Sequence, residues 1–161
     1  MNRFVAAALM IVGLMGAAEA KNFAVPSNDP ALVLSIPDDW LIEKIDFGFS
    51  ARTPDEDVVI YVEAAGARNL DAMLATNDQW MRDNGIKKVN PTKSEGIFAG
   101  LQATNFRFDT SDKNGPTRVD LMLLPGGKNR VIMLSIWGSE EERAKHREAI
   151  DAIMGSVKAI N

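Results

Sequence analysis

Residues Ser94 to Trp137 read SEGIFAGLQATNFRFDTSDKNGPTRVDLMLLPGGKNRVIMLSIW, and they decide the fold. Apolar and β-branched residues collect in the runs Ser94–Ala99, Leu101–Asp109, Thr117–Leu124 and Arg130–Trp137. Between the runs lie Gly100, Asp112-Lys113-Asn114-Gly115 and Pro125-Gly126-Gly127. Such residues punctuate strands because they accept the backbone conformations of tight turns. Strands joined by turns this short pair antiparallel, so the stretch predicts a meander of adjacent strands.

The second turn of the meander also sets a register. If Asn114-Gly115 alone formed the loop, Asp109 would lie opposite Asp120, and like charges facing each other are unfavourable. If Asp112 to Gly115 form a four-residue loop, Ser111 lies opposite Pro116. Asp109 then faces Arg118, and Arg107 faces Asp120. Phe108 and Phe106 meet Val119 and Leu121 on the other face. Each cross-strand pair contributes roughly 0.2–1 kcal/mol, so the second register is expected. Arg107, Asp109, Arg118 and Asp120 then form a charged patch, a candidate docking face for a partner.

Upstream, Ala31–Ile36 reads as a short buried strand stopped by Pro37-Asp38-Asp39, and Trp40 opens the extended stretch WLIEKI. Phe47–Thr53 and Val58–Glu63 form a hairpin across the polar turn Pro54-Asp55-Glu56-Asp57. A helix follows, with Asn69 as N-cap and Asp71 in its first turn. Leu70, Met73, Leu74, Trp80 and Met81 make its apolar stripe, and Asn84-Gly85 ends it. Downstream, Ser139-Glu140-Glu141-Glu142 has the form of a capping box and opens a last helix. Its stripe is Ile150, Ile153, Met154, Val157 and Ile160.

Runs of strands broken by single helices indicate an α+β fold with a mostly antiparallel sheet. Val58–Val62 and Arg130–Trp137 are apolar on both faces, as centrally covered strands should be. Helices on both sides of the sheet are therefore expected, a three-layer α/β/α sandwich. A short apolar strand, then Ile36-Pro37-Asp38-Asp39-Trp40, then strands, one helix, a meander and a terminal helix resembles the PsbP-like fold. The resemblance covers Phe23 to Ile160. It implies a non-enzymatic module that binds a partner or assists assembly, and it carries no family active site.

The N-terminus points to a compartment. Met1 to Ala20 reads MNRFVAAALMIVGLMGAAEA. Arg3 supplies a positive n-region, Phe4–Gly16 is uncharged and apolar, and Ala18-Glu19-Ala20 offers the small residues of a cleavage site. A signal peptide over residues 1–20 is expected, with cleavage between Ala20 and Lys21 and a single domain over 21–161. The apolar run is short of the roughly 20 residues that cross a bilayer, so no spanning segment is expected after cleavage. The chain has no cysteine, which removes lipoprotein anchoring, disulfides and thiolate chemistry. A periplasmic or secreted bacterial protein follows. The net charge of −4 gives no footprint for nucleic acid.

Chemistry-bearing residues are few. His146 is the only histidine. It sits near the start of the last helix, and alone it makes neither a multi-histidine metal site nor a dyad. Asp55-Glu56-Asp57 reads as a solvated hairpin tip, and Asp112-Lys113-Asn114-Gly115 as a turn, since Thr110 and Leu121 stand where an EF-hand loop needs acids. Trp40, Trp80 and Trp137 are expected in the core. No nucleotide-binding, nucleophile-elbow or zincin motif occurs. The expectation is a non-enzymatic interaction or accessory module without cofactor or metal, with another envelope protein as partner. The alternative is a carrier with an apolar pocket between sheet and helix.

Overall fold

The two strands that are apolar on both faces, β5 (Val59–Gly66) and β9 (Arg130–Gly138), pair with each other. Their pairing joins the two halves of the chain. From β5 the sheet extends through β4 (Gly48–Arg52) to β3 (Leu41–Ile45). From β9 it extends through β8 (Gly115–Pro125) and β7 (Leu101–Asp112) to β6 (Thr92–Phe98). The result is a seven-stranded, wholly antiparallel sheet. The structure is a computed structural model that describes residues 19–160. Most of the segment read as a signal peptide therefore lies outside the described residues.

The other elements cover this sheet. Helix α1 (Leu70–Asp83) follows β5 and lies on the face carrying Ala65, Leu121 and Met133, where Met73 is fully buried. Asn69 precedes it without a side-chain capping bond, and Gly85 closes it at φ 69°. Ile60, Val62, Ile132, Leu134 and Leu124 alternate to the opposite face and form the larger core. Helix α3 (Arg147–Ser156) contributes Ile153 to that core, and a second sheet contributes Leu32, Leu34 and Ile36. This second sheet has the order β1 (Ala20–Val25), β2 (Leu32–Pro37), β10 (Lys158–Ala159).

The three-layer expectation lacked that small sheet. It was missed because Ala20–Val25 straddles the presumed cleavage point and shows little apolar alternation. In the fold, Val25 is buried and Phe23 packs on Phe49 with ring centroids 4.9 Å apart. Cleavage after Ala20 would leave Lys21–Val25 paired with β2. Trp40 enters the larger core, fastened by its backbone N–H to the Pro37 carbonyl at 3.1 Å.

The C-terminal helix is a second correction. It is two helices, α2 (Glu140–Lys145) and α3, broken at His146 (φ −104°, ψ 13°). The capping box at Ser139 is present, with both reciprocal bonds to Glu142. The helix does not continue to Ile160. It stops at Ser156, after the weak helix former Gly155, and Val157 is already extended. Ser156 Oγ donates to the Ile153 carbonyl at 2.6 Å and accepts from the Ser35 N–H at 2.8 Å, which turns the chain onto β2. Ile160, expected in the apolar stripe, is exposed.

Candidate functional site

The β7–β8 hairpin has the register in which Asp109 faces Arg118 and Arg107 faces Asp120, with Ser111 opposite Pro116. Pairing runs on to Asp112–Gly115, so the loop is two residues tighter than a four-residue reading. Both ion pairs form, Arg107 Nε to Asp120 and Arg118 Nε to Asp109, each at 2.9 Å. Phe106 and Phe108 turn to the α1 face. The charged face is the α2–α3 face, beside the larger core, because the sheet is covered on both sides.

That placement separates the four residues. Arg107 and Asp109 stand in solvent, while Arg118 and Asp120 are held by α2. Arg118 also pairs with Glu140 at 2.9 Å, and Asp120 accepts from Arg143 at 2.6 Å. The guanidinium of Arg143 is largely but not fully buried and donates to the carbonyls of Gly138, Arg118 and Ile136. Burial lowers its pKa, and Asp120 opposes the shift. Arg143 had no signal in the sequence beyond its place in an acidic helix, yet it clamps α2 to the sheet. Beside the clamp, Ser94, Asn105, Arg107, Asp120, Met122 and Met154 line an open groove of about 430 Å³ between the sheet and α3.

The fold also joins Asp55, Asp57 and His146, which the sequence held apart. Their ligand atoms lie within 4.8 Å of one another, an O,O,N set of the kind that binds divalent metals. The ammonium of Lys145 already stands among them, 2.8 Å from Asp57 and in contact with Asp55, which also meets His146 Nε2 at 3.0 Å. Hydrogen bonding from Lys145 holds the Asp55 carboxyl far below the usual carboxylate range. A metal there would have to displace Lys145.

On the opposite face a pocket of about 260 Å³ lies between α1 and the β3–β4 hairpin, lined among others by Phe47, Tyr61, Glu63, Asn77 and Trp80. Trp80, expected in the core, is half-buried and belongs to neither core cluster; it is a wall of this pocket. Its ring meets Tyr61 edge-on at 4.9 Å and Trp137 at 5.2 Å. Glu63 is 4% exposed, and burial alone pushes its carboxyl up to about 7. Ser135, cross-strand from Tyr61, and Trp137 keep a buried Oγ and Nε1 without a hydrogen-bond partner among the described residues. Sequence reading missed Glu63, although a lone acid following the apolar run Val58–Val62 was its signal.

No family model and no curated protein matches the chain. Solved structures do, and the fold they share is PsbP-like. The chain is similar to cyanobacterial PsbP (CyanoP) from Synechocystis sp. PCC 6803, at TM-score 0.62 and 8% identity over 92% of this chain and 96% of that one. It is similar to LpqN of Mycobacterium tuberculosis, described as involved in cell envelope biogenesis, at TM-score 0.56 and 15% identity over 88% and 92% of the two chains. It is also similar to the Saccharomyces cerevisiae Ran-binding protein Mog1p, at TM-score 0.51 and 10% identity over 90% and 97%. At such identities the likeness concerns the fold alone.

Proposed function

We propose that the chain is an exported, non-enzymatic binding module of the bacterial envelope that docks a second envelope protein on its α2–α3 face. The observation that carries this reading is the open groove beside Arg107 and Asp120, where a polar rim meets an apolar floor. The signal-peptide pattern of residues 1–20 supports export. Similarity in fold to a Ran-binding protein and to a protein of envelope biogenesis supports a binding role. No helix among the described residues is long and apolar enough to cross a membrane. In this reading the small sheet shares a layer with α3, and the whole is a three-layer sandwich.

Arg107→Glu tests the docking face: it breaks the exposed pair with Asp120 and sets two acids opposite each other, while Arg143 still holds Asp120. Capture of an envelope partner by the immobilised mature chain should weaken at least tenfold, with only a small fall in the melting midpoint. Undiminished capture would remove this face. The alternative, a small-ligand carrier, is favoured by the pocket under α1.

A further inference from the structure

We propose that the pocket between α1 and the β3–β4 hairpin binds the alkylated ammonium group of a small organic cation, with Glu63 as counter-charge and Phe47, Tyr61 and Trp80 as aromatic walls. The inference rests on the carrier reading and is independent of the α2–α3 face.

Three features of the site select this chemistry. Its buried polar group is an acid, and the other charged residue of the lining, Asp46, is acidic too. Among the described residues, no lysine, arginine or histidine lines the pocket. An anionic ligand would thus meet only like charge. Aromatic rings attract cations through their quadrupole, and an alkylated ammonium needs no hydrogen-bond acceptor beyond one diffuse negative charge. The volume of about 260 Å³ suits a molecule of choline size rather than a long acyl chain.

The charged groups around Glu63 leave it available. Arg52, on the neighbouring strand β4, is paired with Glu43 at 3.9 Å and Glu56 at 3.6 Å and faces Tyr61. The α1 residues of the lining, Thr76, Asn77 and Trp80, are uncharged, and Asp78 and Arg82 of that helix pair with each other. Residues Met133 and Ser135 of β9, which oppose Glu63 and Tyr61, carry no charge. Burial keeps the free carboxyl protonated up to about 7, so a bound cation must draw it into the ionised form and release a proton.

Titration calorimetry of the mature chain with choline, against its neutral isostere 3,3-dimethyl-1-butanol, tests the proposal. Choline should bind at least tenfold more tightly than the alcohol at pH 8, and about tenfold more weakly at pH 6 than at pH 8. Glu63→Gln, checked for folding by its melt, should abolish the preference for choline. Equal binding of the two probes to the wild-type chain, or a preference that survives in Glu63→Gln, would overturn the ammonium assignment and leave the carrier reading standing. Binding of neither probe would overturn both.

Discussion

Glu63 interrupts an apolar strand at the centre of the sheet, and its burial has a cost that depends on pH. The folded carboxyl titrates near 7, against 4.5 for an ordinary glutamate. The native state therefore holds a proton that the unfolded chain has released between those values. Stability is full below about pH 4.5, falls as pH rises towards 7, and is flat above, a loss of roughly 3 kcal/mol at most. Glu63→Gln should remove that slope. Urea denaturation at pH 4.5 should show wild type and variant nearly equal, and at pH 8 the variant should be more stable. Equal stability at both values would mean that Glu63 is not buried as described. Arg143 has the opposite role. Its removal leaves Asp120 half-buried without its strongest partner and frees three carbonyls, so Arg143→Ala should cost roughly 3 kcal/mol in the same assay. Arg143→Lys should not restore it, because one ammonium cannot span four acceptors.

Among the elements, the β7–β8 hairpin was legible because charge and burial both depend on its register. A shift of one residue would have turned Phe106 and Phe108 outward. The capping box at Ser139 was legible for a local reason, being a pattern of four adjacent residues. Ser139→Ala should destabilise the chain by about 1 kcal/mol, measured by thermal melt. The end of α3 was not legible, because Val157 and Ile160 continue a helical spacing that tertiary pairing with β2 overrides. The β4–β5 pair depends on a glycine in the same way. A Cβ on Gly48 would stand 2.0 Å from the Val62 carbonyl oxygen. Gly48→Ala should therefore push β4 from β5, cost about 2 kcal/mol, and loosen the pocket wall at Phe47.

For the molecule as a whole, element order and strand polarity carried the fold. They followed from turn residues and from two strands apolar on both faces. What joins distant segments was not readable. The meeting of Asp55, Asp57 and His146 and the seating of Arg143 over Asp120 depend on where α2 lands. The pocket around Glu63 depends on how α1 crosses β5. The charged patch was readable as residues, but its use by the fold as an anchor for α2 was not.

Export and docking can be tested together in the intact cell. The exported chain should begin at Lys21 by intact mass, and retention of Phe4–Gly16 would contradict export by cleavage. The most direct measurement of the central claim is site-specific photo-crosslinking in that setting. A photoreactive residue at Asn105, in the groove of the α2–α3 face, should give one discrete adduct with another envelope protein. The same residue at exposed Lys128, outside the groove lining, should not. Loss of the adduct in Arg107→Glu would complete the result. No adduct from Asn105, or the same adduct from Lys128, would contradict docking on this face.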